Sequence, residues 1–275
     1  MHALQSILGF FVRSFRWQRE SVWTLANLLS EPRRFLKVLI TVTTLVSAGA
    51  AQAAPVFVVS DTANNLLRVD MTSGATSVIG NTGSVGPFTD LAVSPTGTLW
   101  GITFSTLYRI NPNTAALTLV GDHGVSAANA LAFSSDGTLY MAAGSSASLY
   151  TVNTSNGVAA ALPGSMGTNS DGDLAFHNGQ LYLAGTNGQL VRITLGTTVA
   201  GTNVGPFGVP DVYGLTSDSV GRLIAVSGRT FYQTNTSTGA LTSLFSYSGF
   251  GTALGIAQIS TSNFVPVLMY LLDDD

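Results

Sequence analysis

The chain has 275 residues, no cysteine and a formal net charge of −3 at pH 7. Without cysteine it can form neither disulfides nor thiolate metal sites. From Ala54 onward it carries five Arg and twelve Asp but no Lys or Glu, a formal charge of −7 that argues against binding to nucleic acid.

The amino-terminal region, residues 1–54, is predicted to be an extension ending in a secretory signal. Basic residues at 33–37 precede an apolar run at 38–46, and Ala51-Gln52-Ala53 supplies an Ala-x-Ala cleavage site. The run is shorter than the roughly 20 apolar residues that a spanning helix needs. We therefore expect a mature chain that starts near Pro55, has no stable membrane span, and is secreted, periplasmic or held at the cell surface.

A repeat fills residues 55–260. Its clearest copy is Leu131-Ala-Phe-Ser-Ser-Asp-Gly-Thr-Leu-Tyr140, an alternating apolar run that breaks at a glycine turn and resumes, as in a β-hairpin. The opening apolar position recurs at steps of 40, 43, 41 and 41 residues, at Leu91, Leu131, Leu174, Leu215 and Ile256. A period near 41 residues is typical of β-propeller blades.

Each repeat unit reads as four antiparallel strands. In the unit that starts at Leu131 they are predicted at 131–134, 139–143, 148–153 and 158–162. The first strand alternates a large residue with a small one, as in Leu131-Ala132. We expect the large residue to pack on the neighbouring blade and the small one to lie where the wedge-shaped blades converge.

The two ends of the repeat region are incomplete in complementary ways. Residues 55–80 supply three strands without a first one, and residues 254–260 form a first strand with no blade after it. Pairing these segments would complete a fifth blade and remove an open sheet edge. The predicted fold is therefore an all-β, five-bladed propeller of four-stranded antiparallel blades, closed by its terminal strands.

Two parts of the chain resemble known families. Residues 56–260 resemble secreted bacterial β-propellers of the NHL, YVTN and WD-repeat type, through the motif at 131–140 and the turn Arg109-Ile-Asn-Pro-Asn-Thr114. The Trp-Asp signature is absent, so the resemblance is to the superfamily. The tail, residues 261–275, is faintly similar to the start of PEP-CTERM sorting signals through Val265-Pro266. It has no long apolar helix or terminal Arg, so the likeness is either chance or that of a truncated signal.

Carboxylates near the predicted axis are the candidates for catalysis or metal binding. They are Asp90, Asp171, Asp173 and Asp211, all in or beside loops that lead into first strands. Five-bladed glycosidases and gluconolactonase-like propellers, which this architecture resembles, rely on Glu, which the mature chain lacks. An Asp-based hydrolase or lyase holding a divalent ion such as Ca²⁺ is thus the alternative function. The competing interpretation, which we favour, is that Asp caps backbone N–H groups in loops.

Histidine offers little support for nucleophilic catalysis. A triad needs a His beside a Ser and a carboxylate, and the repeat region contains only His123 and His177. Both fall in predicted turns, and His177 is expected to be a solvated turn residue.

A binding function is easier to support. Aromatic rings beside carboxylates and amides suit sugar rings, and such groups cluster in the same loops: Phe88, Asp90, Asn129, Asp173, Phe207, Asp211, Tyr213 and Phe250. The alternative is that the three Phe side chains fill gaps between blades. We predict a non-catalytic binding or scaffold module without a cofactor, whose partner is a polysaccharide or an extracellular protein.

Overall fold

A computed structural model describes residues 56–259. Alternating apolar residues and glycine-containing turns fold this region into short strands. In chain order these are β1 (Val56–Asp61), β2 (Asn65–Asp70), β3 (Thr76–Asn81), β4 (Asp90–Val93), β5 (Leu99–Ile102), β6 (Thr106–Ile110), β7 (Leu117–Asp122), β8 (Ala128–Phe133), β9 (Leu139–Ala143), β10 (Ser146–Val152) and β11 (Ala159–Ala161). They continue as β12 (Gly164–Ser165), β13 (Ser170–His177), β14 (Gln180–Gly185), β15 (Gln189–Thr194), β16 (Val199–Pro206), β17 (Val212–Ser217), β18 (Leu223–Ser227), β19 (Thr230–Thr234), β20 (Leu241–Ser246) and β21 (Ala253–Ile259).

Five antiparallel sheets of four strands form a ring, which confirms the predicted five-bladed propeller. Blade 1 has the order β21-β1-β2-β3, blade 2 is β4 to β7, blade 3 is β8 to β11, blade 4 is β13 to β16, and blade 5 is β17 to β20. A single 3₁₀ turn, Gly83–Val85, accompanies the strands in the described region. Residues 56–259 include no helix that is both long and apolar enough to cross a bilayer.

The ring closes as predicted, with the last described strand completing the first blade. In the β1–β21 pairing, Val58 lies opposite Ala257 and Val59 opposite Ile256. Ile256 and Ile259 are almost fully buried. The closure therefore joins residues nearly 200 positions apart into one sheet and pairs the edge of β1 that would otherwise be open.

Packing between blades follows the large–small alternation. Leu131 of blade 3 shares a core cluster with Ala92 of blade 2. The equivalent large–small pairs elsewhere in the ring are Leu174 with Ala132, Leu215 with Ala175, and Leu91 with Ala257. Each core cluster therefore fills the space between two neighbouring blades, which is why a single isolated blade could not bury its own apolar face.

Blade 4 carries one feature that the repeat does not predict. The two-residue strand β12 pairs in parallel with the outer strand β16, so this sheet has a fifth, short strand. The amide of Val199 also donates to the carbonyl of Pro163 at 2.7 Å. The segment leaving blade 3 thus covers part of the outer edge of blade 4 before it turns inward.

Candidate functional site

The end of the ring at which the inner strands begin is here called the upper face. The inner strands β8, β13 and β17 each begin with a register shift, between Ala128 and Ala130, Ser170 and Leu174, and Val212 and Gly214 respectively. Such bulges leave a residue outside the ladder and redirect its side chain. This local geometry sets the positions of Asn129, Asp171 and Tyr213 at the upper face.

Asp90 joins blade 2 to blade 3 at the axis. Its Oδ1 accepts the backbone N–H of Leu91 at 2.7 Å, and its Oδ2 accepts that of Leu131 in the next blade at 2.5 Å. The side chain has no solvent exposure. An innermost strand has no partner on its axial side, so these amides would otherwise be buried without acceptors.

Asp173 repeats this arrangement two blades further on. Its Oδ1 accepts the N–H of Leu174 and its Oδ2 accepts that of Leu215 in blade 5, both at 2.6 Å, and it too is fully buried. Two carboxyl groups therefore serve four axial amides. The sequence analysis favoured aspartates that accept backbone N–H groups in loops. Asp90 and Asp173 do accept backbone N–H groups, but these belong to the inner strands of two neighbouring blades.

The two axial carboxyl groups also interact with each other. Burial raises the pKa of Asp90 well above its ordinary value, and the charge of Asp173 and a side-chain hydrogen bond to it raise it further. Burial likewise raises the pKa of Asp173 to about 8, against the lowering effect of its hydrogen bonds to Asp90 and to backbone amides. Like charges in a dry site disfavour double ionisation.

Glycines allow the backbones to approach at this level of the axis. A Cβ on Gly255 would lie 2.5 Å from the Cα of Asp90, and one on Gly172 would lie 2.2 Å from the carbonyl oxygen of Val212. A cavity of about 220 Å³ lies along the inner strands. The strand starts thus close together around the carboxyl pair, and in this structure neither carboxyl is accessible to a dissolved ligand.

The four carboxylates proposed as one cluster form two separate pairs. Asp171 and Asp211 lie near each other at the boundary of blades 4 and 5, where burial and then the charge of Asp211 raise the pKa of Asp171. The phenol of Tyr213 donates to Oδ1 of Asp211 at 3.2 Å. Within residues 56–259 no group of three or more His, Asp or Glu side chains is arranged to hold a metal ion.

Beside this second pair is an open recess of about 420 Å³, here called the blade 4–5 recess. Its lining combines carboxylate, amide and apolar groups from Asp171, Asn187, Gly188, Val209, Pro210 and Asp211. Asn187 and Asp211 both adopt the left-handed backbone conformation, with φ of 67° and 52°. Non-glycine residues rarely adopt that conformation, and Asn and Asp are the types that tolerate it best.

The remaining predicted contact residues lie deeper. Phe88 and Phe207 are buried, and Phe88 meets Tyr108 edge-on with ring centroids 5.6 Å apart. Phe250 is half-buried against the core cluster between blades 5 and 1. These positions agree with the alternative interpretation, in which the three Phe side chains fill gaps between blades.

Asn129 is half-buried at the start of β8. Its side-chain amide donates to the carbonyl of Ser170 in blade 4 at 3.4 Å, while its carboxamide oxygen has no hydrogen-bond partner within the described residues. Thr89 makes a comparable contact one blade earlier, where its hydroxyl donates to the carbonyl of Ala128 at 2.9 Å. Asn129 thus contributes to a series of contacts between adjacent blades.

His177 is not the solvated turn residue that the sequence suggested. It is buried at the end of β13, and its Nδ1 lies 2.8 Å from the hydroxyl of Ser217 in blade 5. The side-chain amide of Asn178 lies 3.1 Å from Nε2. With that amide as donor, Nδ1 carries the ring proton and donates to Ser217, whose hydroxyl donates to the carbonyl of Phe176 at 2.8 Å. The imidazole then acts as a connector between blades and leaves no free base facing the hydroxyl.

His123 lies in a loop, as predicted, but it is also buried. Its Nδ1 accepts the N–H of Val125 at 3.3 Å, and its Nε2 lies 3.3 Å from the carbonyl of Thr103. Both ring nitrogens therefore serve local backbone groups. Alignment of the repeats could not have revealed the contacts of either histidine. The hydrogen-bond partners of His177 and His123 come from other strands or from irregular loop positions.

The fold and this face define a five-bladed β-propeller with a buried carboxyl pair at its axis and an open recess between two blades. No family model and no curated protein sequence matches the chain. Among solved structures it is similar to a protein from a study of the de novo evolutionary emergence of a symmetrical protein, with 20% identity over 74% of this chain and 97% of that one, at a TM-score of 0.51.

Two further similar structures have named activities. One is a gluconolactonase from Xanthomonas campestris, with 17% identity over 74% of this chain and 80% of that one, at a TM-score of 0.47. The other is virginiamycin B lyase from Staphylococcus aureus, with 16% identity over 70% of each chain, at a TM-score of 0.43. At these identities the likeness concerns the propeller fold alone.

Proposed function

We propose that the protein is a secreted or periplasmic, non-catalytic propeller that binds a polysaccharide of neutral sugars at the blade 4–5 recess. The observation that carries this proposal is the contrast between the two carboxylate pairs. Asp90 and Asp173 are sealed at the axis and engaged with backbone amides, whereas Asp171 and Asp211 border an open recess.

The chemistry of the recess suits sugar hydroxyls. The carboxylates and the carboxamide of Asn187 are hydrogen-bond acceptors and donors, while Val209 and Pro210 offer apolar surface for C–H faces. The Tyr213 phenol orients the Asp211 carboxylate through its hydrogen bond. An acidic polysaccharide would be repelled by two neighbouring carboxylates, so neutral sugars fit better.

Binding to a glycan array, followed by titration with the best glycan, tests the proposal on the chain from Pro55 to Asp275. We expect Asp171→Asn and Asp211→Asn each to weaken binding by roughly 10- to 100-fold, the value of losing one hydrogen bond to a charged group. Asp136→Asn is the matched control because this exposed carboxylate lies in the turn after the inner strand β8, at the opposite face. Equal affinity of all three variants, or capture of a protein and no glycan, would refute the proposal.

The extracytoplasmic location is part of the same proposal and has its own test. It is supported by the order of basic, apolar and small residues before Ala54. Expression of the full chain in a bacterium, with amino-terminal sequencing of the exported product, should give a mature end at Ala54 or Pro55. An uncleaved chain that remains in the cytoplasm would contradict the location without bearing on the recess.

A further inference from the structure

The axial pair has a geometry that predicts a property unrelated to ligand binding. Asp90 and Asp173 are fully buried, and each carboxyl group connects two consecutive blades through backbone amides. Four of the five inner strands are thus tied to two buried carboxyl groups. Any change in the charge of this pair acts directly on the centre of the ring.

We propose that Asp90 and Asp173 hold at least one proton between them in the folded protein, and that the ring is destabilised when this proton leaves. Both carboxyl groups are fully buried and their hydrogen bonds come from backbone amides, so two negative charges at the axis would have no counter-ion among the described residues.

Among the described residues, no other ionisable group is placed to offset the buried charge. The titratable residues on these two strands and on the strands packed against them are Asp61, Tyr140, Asp171, His177, Tyr182 and Tyr213. None of these donates a hydrogen bond to either axial carboxyl in the described structure, and the pKa values of the pair are influenced only by burial, by each other and by backbone amides. Loss of the proton therefore leaves two negative charges in a dry site without a counter-ion.

The direction of the pH dependence follows from the raised pKa values. An unfolded Asp releases its proton near pH 4, whereas burial raises the pKa of Asp173 to about 8 and that of Asp90 well above its ordinary value. In that window the folded state binds more protons than the unfolded state, so the pair's contribution to stability is fully present below pH 4 and is lost as the pH rises through about 8. Each retained proton makes the unfolding constant rise by up to about tenfold per pH unit.

The two histidines act in the opposite direction and limit the useful range. Burial lowers the pKa of His123 and of His177, so their contribution to stability grows as the pH rises to about 6.5. Between pH 7 and pH 8.5 both histidines are mostly neutral in the folded and unfolded states. A decline in stability across this range therefore reports mainly on the two carboxyl groups with raised pKa values.

Carboxyl ¹³C NMR of the full chain labelled at Asp tests the proposal in the unmodified protein. We expect one or two Asp carboxyl signals to titrate above pH 6. In a separate series of urea unfolding measurements, the unfolding constant should rise severalfold between pH 7 and pH 8.5. Asp90→Asn and Asp173→Asn should each remove a high-pH titration and flatten the stability profile. Asp122→Asn, at an exposed position in β7, is the matched control and should leave both unchanged.

The NMR titration of the unmodified chain tests the proposal even if either axial variant fails to fold. Titration of every Asp carboxyl below pH 5 in the unmodified chain would overturn it. A stability profile that is flat or rises between pH 7 and pH 8.5 would do the same.

Discussion

Deletion of β21 should open the ring and cost most of the stability of the propeller. Removal of the chain from Ala253 onward takes away Ile256 and Ile259, which are 1% and 4% exposed. Each contributes roughly 1.5–3 kcal/mol when buried, or about 3–6 kcal/mol together. A domain's net stability is only about 5–15 kcal/mol, and the deletion also exposes the edge of β1. We therefore expect an unfolded or aggregated product.

The assay is urea unfolding followed by circular dichroism, with size-exclusion chromatography before each measurement. A chain ending at Ser260 is the control, because it lacks the tail but keeps β21, and it should unfold at the midpoint of the full chain. Ile256→Ala offers a milder test, with an expected loss of about 2–5 kcal/mol. If the chain without β21 showed the same midpoint and slope as the control, the closure would contribute nothing and our reasoning would be wrong.

Two further predictions concern contacts between blades. Gly255→Ala should lower the free energy of unfolding by about 1–3 kcal/mol, because the new Cβ would lie 2.5 Å from the backbone of the next inner strand; Gly196→Ala, with 3.7 Å to its nearest neighbour, should change it by less than about 0.5 kcal/mol. His177→Ala and Ser217→Ala should each cost about 0.5–1.5 kcal/mol and show a coupling energy above about 0.5 kcal/mol in a double-mutant cycle. The same cycle between His177 and Ser134 should be additive, and equal coupling in both cycles would exclude a direct contact.

The architecture was predictable because the repeat acts through local and periodic signals. The spacing of Leu91, Leu131, Leu174 and Leu215 indicates the number of blades, and the missing first strand before Val56 indicates how the ring closes. Both follow from the need to pair every strand edge and to bury one apolar face per strand.

The candidate site was less predictable, because aspartates that look equivalent in the sequence lie in different environments in the fold. Asp171 and Asp173 are two positions apart in one strand, yet Asp173 is sealed at the axis and Asp171 borders a recess. A sequence pattern placed both at the upper face but could not tell which one the bulge in β13 turns inwards. His177 was likewise placed in a turn, and its partner Ser217 is 40 residues away.

By itself the amino-acid sequence determined the number of blades, their strand order and the alternation that packs them, since these depend on periodic apolar residues and turn-forming glycines. Only the tertiary structure decided which polar groups lose contact with water. Burial depends on neighbouring blades distant in sequence, and it is burial that makes Asp90 and Asp173 a proton-holding pair and leaves Asp171 and Asp211 exposed to a ligand.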